Sequence, residues 1–171
     1  NSTFRRCISL KSITLPNSVT SIGDSAFANC DLLTSINIPD NVTLIGNSAF
    51  KECYSLKSII LSENVELIGN GVFFACHKLK SITVSSGNTN YKSVDGVLFN
   101  KNGSRLIFFP PNRNEAKYTI PSDVTSISKY AFAFCCSLTS IYIPDGVISI
   151  ENGAFFSCDK LKLIIVGSGN S

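Results

Sequence analysis

A phenylalanine followed three residues later by a cysteine recurs at Phe4/Cys7, Phe27/Cys30, Phe50/Cys53, Phe73/Cys76, Phe132/Cys135 and Phe155/Cys158. The steps between these phenylalanines are 23, 23, 23, 59 and 23 residues, and 59 is 23 plus 36. Other columns keep the same step. Leu10, Leu33, Leu56, Leu79, Leu138 and Leu161 form one, and Ile13, Ile36, Ile59, Ile82, Ile141 and Ile164 form another. Leu15, Ile38, Leu61, Val84, Ile120, Ile143 and Val166 follow, then Val19, Val42, Val65, Val124 and Val147. A chain written in a single register of about twenty residues folds by stacking equivalent coils, so a solenoid is expected.

Each coil reads as a short circuit of the chain. Leu-x-x-Ile-x-Ile ends in period-2 alternation of β-branched residues, which predicts a short strand with one face inward. Pro16, Pro39, Pro121 and Pro144 follow it and end the ladder, because proline has no N–H to donate. Val-x-x-Ile predicts a second extended piece on the opposite wall. Gly23, Gly46 and Gly69 then turn the chain, and Ala-Phe-x-x-Cys suits a helical turn started by Asp24/Ser25 or Asn47/Ser48. The glycine column breaks at Ser128 and Glu151, so that turn does not require a left-handed backbone. The apolar side chains of one coil cannot offset the entropy of ordering its backbone. Stacking neighbours about 4.8 Å apart adds ladder bonds and covers each coil's faces.

The expected architecture is therefore a right-handed superhelix of 23-residue coils with stacked parallel strands, short helical turns and one β-meander insertion. It forms a single solenoid domain over 1–171, with repeats in 1–84 and 118–171 and the insertion at about 85–117. Within the insertion, Tyr91–Val94 and Val97–Phe99 flank Asp95-Gly96, a two-residue hairpin signal. Asn100–Ser104 is a second turn leading to a strand at Arg105–Phe109, and Pro110-Pro111 ends pairing. These strands are expected to cover or extend a solenoid edge, with a ligand-contacting arm as the alternative.

Chemistry has few footholds in this sequence. Hydrophobic residues make up 44% and charged residues 16%, which excludes a disordered chain. The longest apolar runs, such as Ile59–Leu61 and Leu163–Val166, are far shorter than the roughly 20 residues of a membrane helix, so this segment is not expected to insert. A net charge of +3, spread along the chain, does not point to nucleic acid. The cysteine column predicts a straight internal file of reduced thiols acting as small apolar fillers. Cβ vectors that point the same way disfavour bridges, and a straight row does not converge on a metal. Cys136, outside the column, reads as an exposed thiol. His77, the one histidine, follows Cys76 at an outward position and reads as a surface residue, not half of a dyad. Asp40, Glu63, Asp123 and Asp145 form a solvated rim after the strands, a cation-binding rim being the alternative. Asn1-Ser-Thr3, Asn41-Val-Thr43 and Asn102-Gly-Ser104 match the glycosylation acceptor. No catalytic residues, metal or cofactor are assigned.

Val-Thr-Ser-Ile-Gly-Asp-Ser-Ala-Phe-Ala-Asn-Cys at 19–30 and Leu-Thr-Ser-Ile-Asn-Ile-Pro at 33–39 resemble the BspA-like, or Treponema pallidum-type, leucine-rich repeats. Tyr91–Phe99 and Leu106–Pro111 resemble an insertion recurrent in that family. The resemblance implies a cell-surface or secreted location and a role in adhesion. Val84-Ser-Ser-Gly-Asn88 opens the insertion, and Val166-Gly-Ser-Gly-Asn170 ends the chain in the same way. This recurrence, a start in mid-repeat and the absence of methionine lead us to expect a longer parent array with a second insertion.

The surface most suited to binding is the outward face of the first strand. Its central file is Thr14, Asn37, Ile60, Thr83, Tyr142 and Ile165, flanked by Lys11, Lys57 and Lys80. Ile60, Tyr142 and Ile165 have no core duty there, and tyrosine favours interfaces. The expected function is a non-catalytic binding module for a host, matrix or neighbouring-cell protein or glycoprotein. The alternatives are an ordinary polar strand face on a structural spacer, or an accessory domain of a larger surface protein or enzyme.

Overall fold

The computed structural model describes residues 1–167. Among the described residues, thirteen short strands build two walls and one hairpin. The first wall comprises β3 (Ser58–Leu61), β5 (Ser81–Val84), β9 (Lys117–Thr119), β11 (Ser140–Ile143) and β13 (Leu163–Val166), with a parallel bridge between Thr14 and Asn37 extending it toward the N-terminus. The second wall comprises β1 (Ser21–Ile22), β2 (Leu44–Ile45), β4 (Leu67–Ile68), β8 (Arg105–Phe108), β10 (Ser126–Ile127) and β12 (Ser149–Ile150). Within β3–β5, β9–β11–β13, β1–β2–β4 and β8–β10–β12, neighbours pair in parallel and, at most steps, in a register of 23, as in Ile59↔Ile82, Leu44↔Leu67 and Tyr142↔Ile165, whereas β5 does not pair with β9, nor β4 with β8. The chain is thus a solenoid of stacked coils.

The prolines work as turn formers. The carbonyls of Pro16, Pro39, Pro121 and Pro144 accept from the N–H three residues on at 3.0 to 3.1 Å, which folds the chain from one wall to the other. Gly46 and Gly69 lie outside the left-handed region and are required for space. A Cβ on Gly46 would stand 2.5 Å from Asp24 Oδ1 and 2.6 Å from Asp24 N, and one on Gly69 would stand 2.5 Å from Asn47 N.

The helical turns expected at Ala-Phe-x-x-Cys do not form, and no helix occurs among the described residues. The segment instead bonds in two directions. Ala26, Ala28 and Cys30 donate back to Gly23, Ser25 and Phe27 at 3.1 to 3.2 Å, while the intervening N–H groups of Ser25, Phe27 and Asn29 donate to Asn47, Ala49 and Lys51 of the next coil at 2.8 to 2.9 Å. A helix would bond every donor within its own segment. Stacking takes every second one along the solenoid axis, with left-handed residues interspersed: Ser25 (φ 53°) and Asn29 (φ 61°), then Ser48 (φ 55°) and Glu52 (φ 60°). This turn segment forms a third, hydrogen-bonded side of the coil.

Inside, the phenylalanines form a file of stacked rings. Phe4 and Phe27 lie 5.1 Å apart, Phe27 and Phe50 5.4 Å, and Phe50 and Phe73 6.0 Å, all within 13° of parallel. The cysteines form a second file of free thiols. Cys30 Sγ donates to the Phe4 carbonyl at 3.1 Å, Cys53 to Phe27 at 3.1 Å and Cys76 to Phe50 at 3.0 Å, so each thiol also ties its coil to the one before. Burial pushes the thiols up, Cys30 to about 11 and Cys53 to about 12, far from reactive thiolates.

The hairpin in the segment expected at about 85–117 extends a sheet edge, adding β7 and β6 beyond β8, and this edge lies within the stack, between its earlier and later coils. β6 (Tyr91–Val94) and β7 (Val97–Asn100) form a hairpin, β7 pairs antiparallel with β8, and β8 pairs in parallel with β10. From β8 onward the chain rejoins the repeat. Phe109 stands 23 residues before Phe132, its ring is 5.1 Å from Phe132, its N–H donates to Ala131, and the Cys135 thiol turns to its carbonyl. Phe109 is the unrecognised phenylalanine of the file, hidden because no cysteine follows it. The hairpin divides the interior. Leu98 and Phe108 pack with the core of the first coils, whereas Val97, Phe99, Leu106 and Phe109 pack with the core of the later ones. Successive side chains of a strand point to opposite faces, so β7 serves both cores at once.

Candidate protein-binding surface

The first wall directs alternate residues inward, and the core takes Ile36, Ile38, Ile59, Leu61, Ile82, Ile141 and Ile143. The residue between each inward pair is left to solvent. Thr14, Asn37, Ile60, Thr83, Tyr142 and Ile165 are all exposed, as are Lys11, Lys57 and Lys80. Ladder bonds keep these residues in register: Thr34 N–H donates to Lys11 O at 3.1 Å, Lys57 to Thr34 at 3.2 Å and Lys80 to Lys57 at 2.9 Å. Ile60 and Thr83 are direct cross-strand partners, as are Tyr142 and Ile165.

The face is split by the hairpin. Ile82 N–H donates to Gly96 O at 2.9 Å, which seats the Asp95-Gly96 turn against β5 where the next coil's strand would otherwise pair. Arg113 holds that turn by donating to the Asp95 carbonyl, binds Glu115 through two bonds of 2.6 and 2.5 Å, and lies over the Phe109 ring. The bond to Arg113 holds the Glu115 carboxyl below its ordinary range. Lys11, Thr14, Asn37, Lys57, Ile60, Lys80 and Thr83 therefore form one patch. Tyr142 and Ile165 form a second, joined by Thr119, which pairs with Tyr142.

The larger patch is electrostatically uncommitted. Lys57 and Lys80 occupy equivalent positions immediately before the adjacent strands β3 and β5, and among the described residues neither they nor Lys11 forms an ion pair. Like charges side by side on a sheet repel, and a carboxylate set between the two ammonium groups would relieve that repulsion. Ile60, 61% exposed, stands next to them. The surface can therefore bury an apolar side chain while pairing acidic ones.

A second surface escaped the reading of the columns. On the turn side, Tyr54, Phe74, His77, Tyr130, Phe134 and Phe156 make a continuous aromatic band. Phe74 meets Tyr130 at 4.6 Å and Phe134 at 5.1 Å, and His77 stacks on Tyr54 at 5.4 Å and meets Phe134 edge-on at 4.8 Å. His77 is exposed yet packed on rings. Their columns are not uniformly aromatic, although Tyr54 and His77 stand one period of 23 apart and Phe74 and Phe156 share a column; the signal was the abundance of aromatics beside the Phe-x-x-Cys motif in the 54, 73–77, 130–134 and 155–156 segments.

The chain matches the profile of the BspA type leucine rich repeat region, in six copies over residues 1–104 and 105–171. No curated protein matches it. Among solved structures, it resembles a leucine rich cell surface protein from Faecalibacterium prausnitzii at 35% identity and a TM-score of 0.89, covering 96% of this chain and 43% of that one. It also resembles the pneumococcal vaccine antigen PcpA at 30% identity and a TM-score of 0.87, covering 92% of this chain and 40% of that one. The Treponema pallidum leucine rich repeat protein, at 21% identity and a TM-score of 0.51 over 94% of this chain and 69% of that one, shares the fold. The chain thus spans less than half the length of the first two.

Proposed function

The chain belongs to the BspA-type leucine-rich-repeat family, and we propose that it is a non-catalytic binding module at a cell surface. It recognises an acidic patch on a protein or glycoprotein through the strand face. The observation that carries this reading is the pair Lys57 and Lys80, held in register without counter-charges beside exposed Ile60. The names of the pneumococcal antigen and the Faecalibacterium cell surface protein support the location. Tyr142 and Ile165, on the far side of the hairpin, supply a second, apolar contact.

The test is binding of labelled chain to immobilised extracellular-matrix glycoproteins and to surface proteins of intact cells. Lys57→Glu with Lys80→Glu is expected to weaken binding at least tenfold and to flatten its salt dependence. Tyr142→Ala is expected to weaken it several-fold, and Ile148→Ser, on the other wall, to leave it unchanged. Equal affinity of the wild type and the double charge reversal would refute the site.

A further inference from the structure

The hairpin interrupts the turn side of the solenoid as well as its strand face. In the Phe27 coil the N–H groups of Ser25, Phe27 and Asn29 all bond to the next coil, and in the Phe50 coil those of Ser48, Phe50 and Glu52 do the same, at 2.8 to 3.0 Å. Their counterparts in the Phe73 coil are Gly71, Phe73 and Ala75. Among the described residues these three donors have no acceptor, because the chain beyond them enters β8 in place of a turn, and Phe108 covers Phe73 at a tilt of 54° where the other rings of this core stack flat. A donor left unmet here forfeits its hydration without a compensating bond.

A pocket of about 310 Å³ opens at this break, lined by Gly71 and Phe73 together with Asn70, Tyr91, Arg105 and Lys129. A second opening of about 400 Å³ shares Asn70, Gly71, Phe74, Lys129 and Tyr130 with the first and extends past Asn47, Ser48 and Lys51, making one cleft. Its charged lining is cationic, formed by Arg105, Lys129 and Lys51. An asparagine/aspartate ladder runs along the turn side, with Asp24 N–H bonded to Asn1 Oδ1 (3.1 Å), Asn47 to Asp24 (2.6 Å) and Asn70 to Asn47 (2.9 Å). It stops at Asn70, whose carboxamide has no described partner. Arg105 spends two of its nitrogens on Ser128 and Glu151, each at 2.7 Å, and keeps the third. Lys129 Nζ lies 5.2 Å from the centre of the Tyr130 ring and forms no ion pair among the described residues. No Asp or Glu lines either opening.

We infer that this cleft binds an acidic sugar residue, a uronate or sialate unit, with its carboxylate on the main-chain donors of Gly71 and Phe73 beside Arg105 and Lys129. Oxygens of the carboxylate replace the carbonyls that the next coil supplies elsewhere. The sugar ring lies along Phe74 and Tyr130, and its hydroxyls meet the Asn70 and Asn47 carboxamides and the Ser48 hydroxyl. An inorganic anion would use only the inner end of the cleft, and a neutral sugar would leave the cations and main-chain donors unmet. The combination of a charged head and a hydroxyl-bearing ring uses both halves.

The test is a titration of the chain with sodium glucuronate at low salt, followed by isothermal calorimetry or ligand-detected NMR, with glucose, acetate, sulfate and an acidic tetrapeptide as comparison arms. Saturable glucuronate binding, at least tenfold tighter than that of each comparison, is expected. Lys129→Gln and Asn70→Ala should each weaken it five- to tenfold while the fold, read by circular dichroism, is unchanged; unaltered affinity in both would overturn the placement. Lys57→Glu with Lys80→Glu should leave it intact, which separates this cleft from the strand face. Absence of saturable binding, equal affinity for glucose, or a tetrapeptide or sulfate that binds as tightly would overturn the inference.

Discussion

Stability in this molecule should be transmitted ring by ring along the phenylalanine file, and Phe50 is where that is most sharply tested. Phe50 has no solvent exposure and presents both faces to neighbours, at 5.4 Å to Phe27 and 6.0 Å to Phe73. Its replacement by alanine removes the transfer energy of a buried ring and leaves a cavity, a loss of about 3–5 kcal/mol. Against a typical total of roughly 5–15 kcal/mol for a domain, this is a large fraction, and it corresponds to a drop in Tm on the order of 10 °C. Phe155 is the contrasting site: its ring is half-buried and, among the described residues, meets the file only through Phe132, at 5.1 Å. Phe155→Ala should cost about 1–2 kcal/mol. A double-mutant cycle then separates ring contact from simple burial. Phe27 and Phe50 should couple by about 0.5–1.5 kcal/mol. Phe27 and Phe132, in the two separate cores, should be additive within about 0.5 kcal/mol. The assay is urea unfolding followed by circular dichroism at constant m-value. Equal losses at Phe50 and Phe155, or coupling between Phe27 and Phe132 as strong as between Phe27 and Phe50, would refute the picture of nearest-neighbour stacking.

The buried thiols make stability sensitive to alkali. Cys30 and Cys53, raised to about 11 and about 12 by burial, remain protonated when the unfolded chain ionises near pH 9, so their contribution is complete below about pH 9 and is lost as pH rises toward those values. Each should remove about 1.4 kcal/mol per pH unit over that window. Tm measured from pH 7.5 to 10.5 should stay level and then fall, with a shallower fall in Cys53→Ala; a slope unchanged by that substitution would contradict the assignment. Gly46→Ala should destabilise by more than the usual surface substitution, about 2 kcal/mol or above, because the added Cβ meets main-chain atoms of the previous coil at 2.6 and 2.8 Å. The same substitution at Gly146, where the nearest atom would be 3.4 Å away, should cost little in the same thermal melt.

The repeat was legible because it rests on inward-facing side chains. The period of 23 places Leu33, Leu56 and Leu79, or Ile36, Ile59 and Ile82, at equivalent points of successive coils, and each is buried. The hairpin was legible through Asp95-Gly96, whose residues both take positive φ, 49° and 79°. The turn side was not, because its conformation is set by bonds to the next coil that no local propensity encodes. Ala75, Tyr130 and Phe134 adopt φ near 60°, a region such residues enter only when the surroundings impose it. Phe109 was missed for a different reason: the column was recognised through its cysteine, and Asn112 stands where that cysteine would be. The strand-face residues were identified by alternation alone, and the structure leaves each exposed; the division of that face by Gly96 and Arg113 depends on long-range packing. Asn170, on which the expected second insertion rests, lies outside the described residues.

A solenoid of identical coils offers a partner the same few groups over and over, with its main-chain donors consumed by the next coil. Here a departure from the repeat changes both sides of the stack. On the first wall, the Asp95-Gly96 turn takes the place of a strand and separates the basic patch around Lys57 from the apolar pair Tyr142 and Ile165. On the turn side, the loss of one set of acceptors releases the donors of Gly71 and Phe73 into a cleft walled by aromatic rings. The same hairpin spans both cores through Leu98 on one face and Val97 and Phe99 on the other. A ligand that orders the cleft therefore acts on the element that joins the two halves of the stack. Occupancy of the cleft should be felt in the relative protection of β7 amides, with glucuronate slowing their hydrogen exchange while leaving those of β2 in the first core unchanged. Equal slowing in both strands would show that the ligand stabilises the whole stack and not its junction.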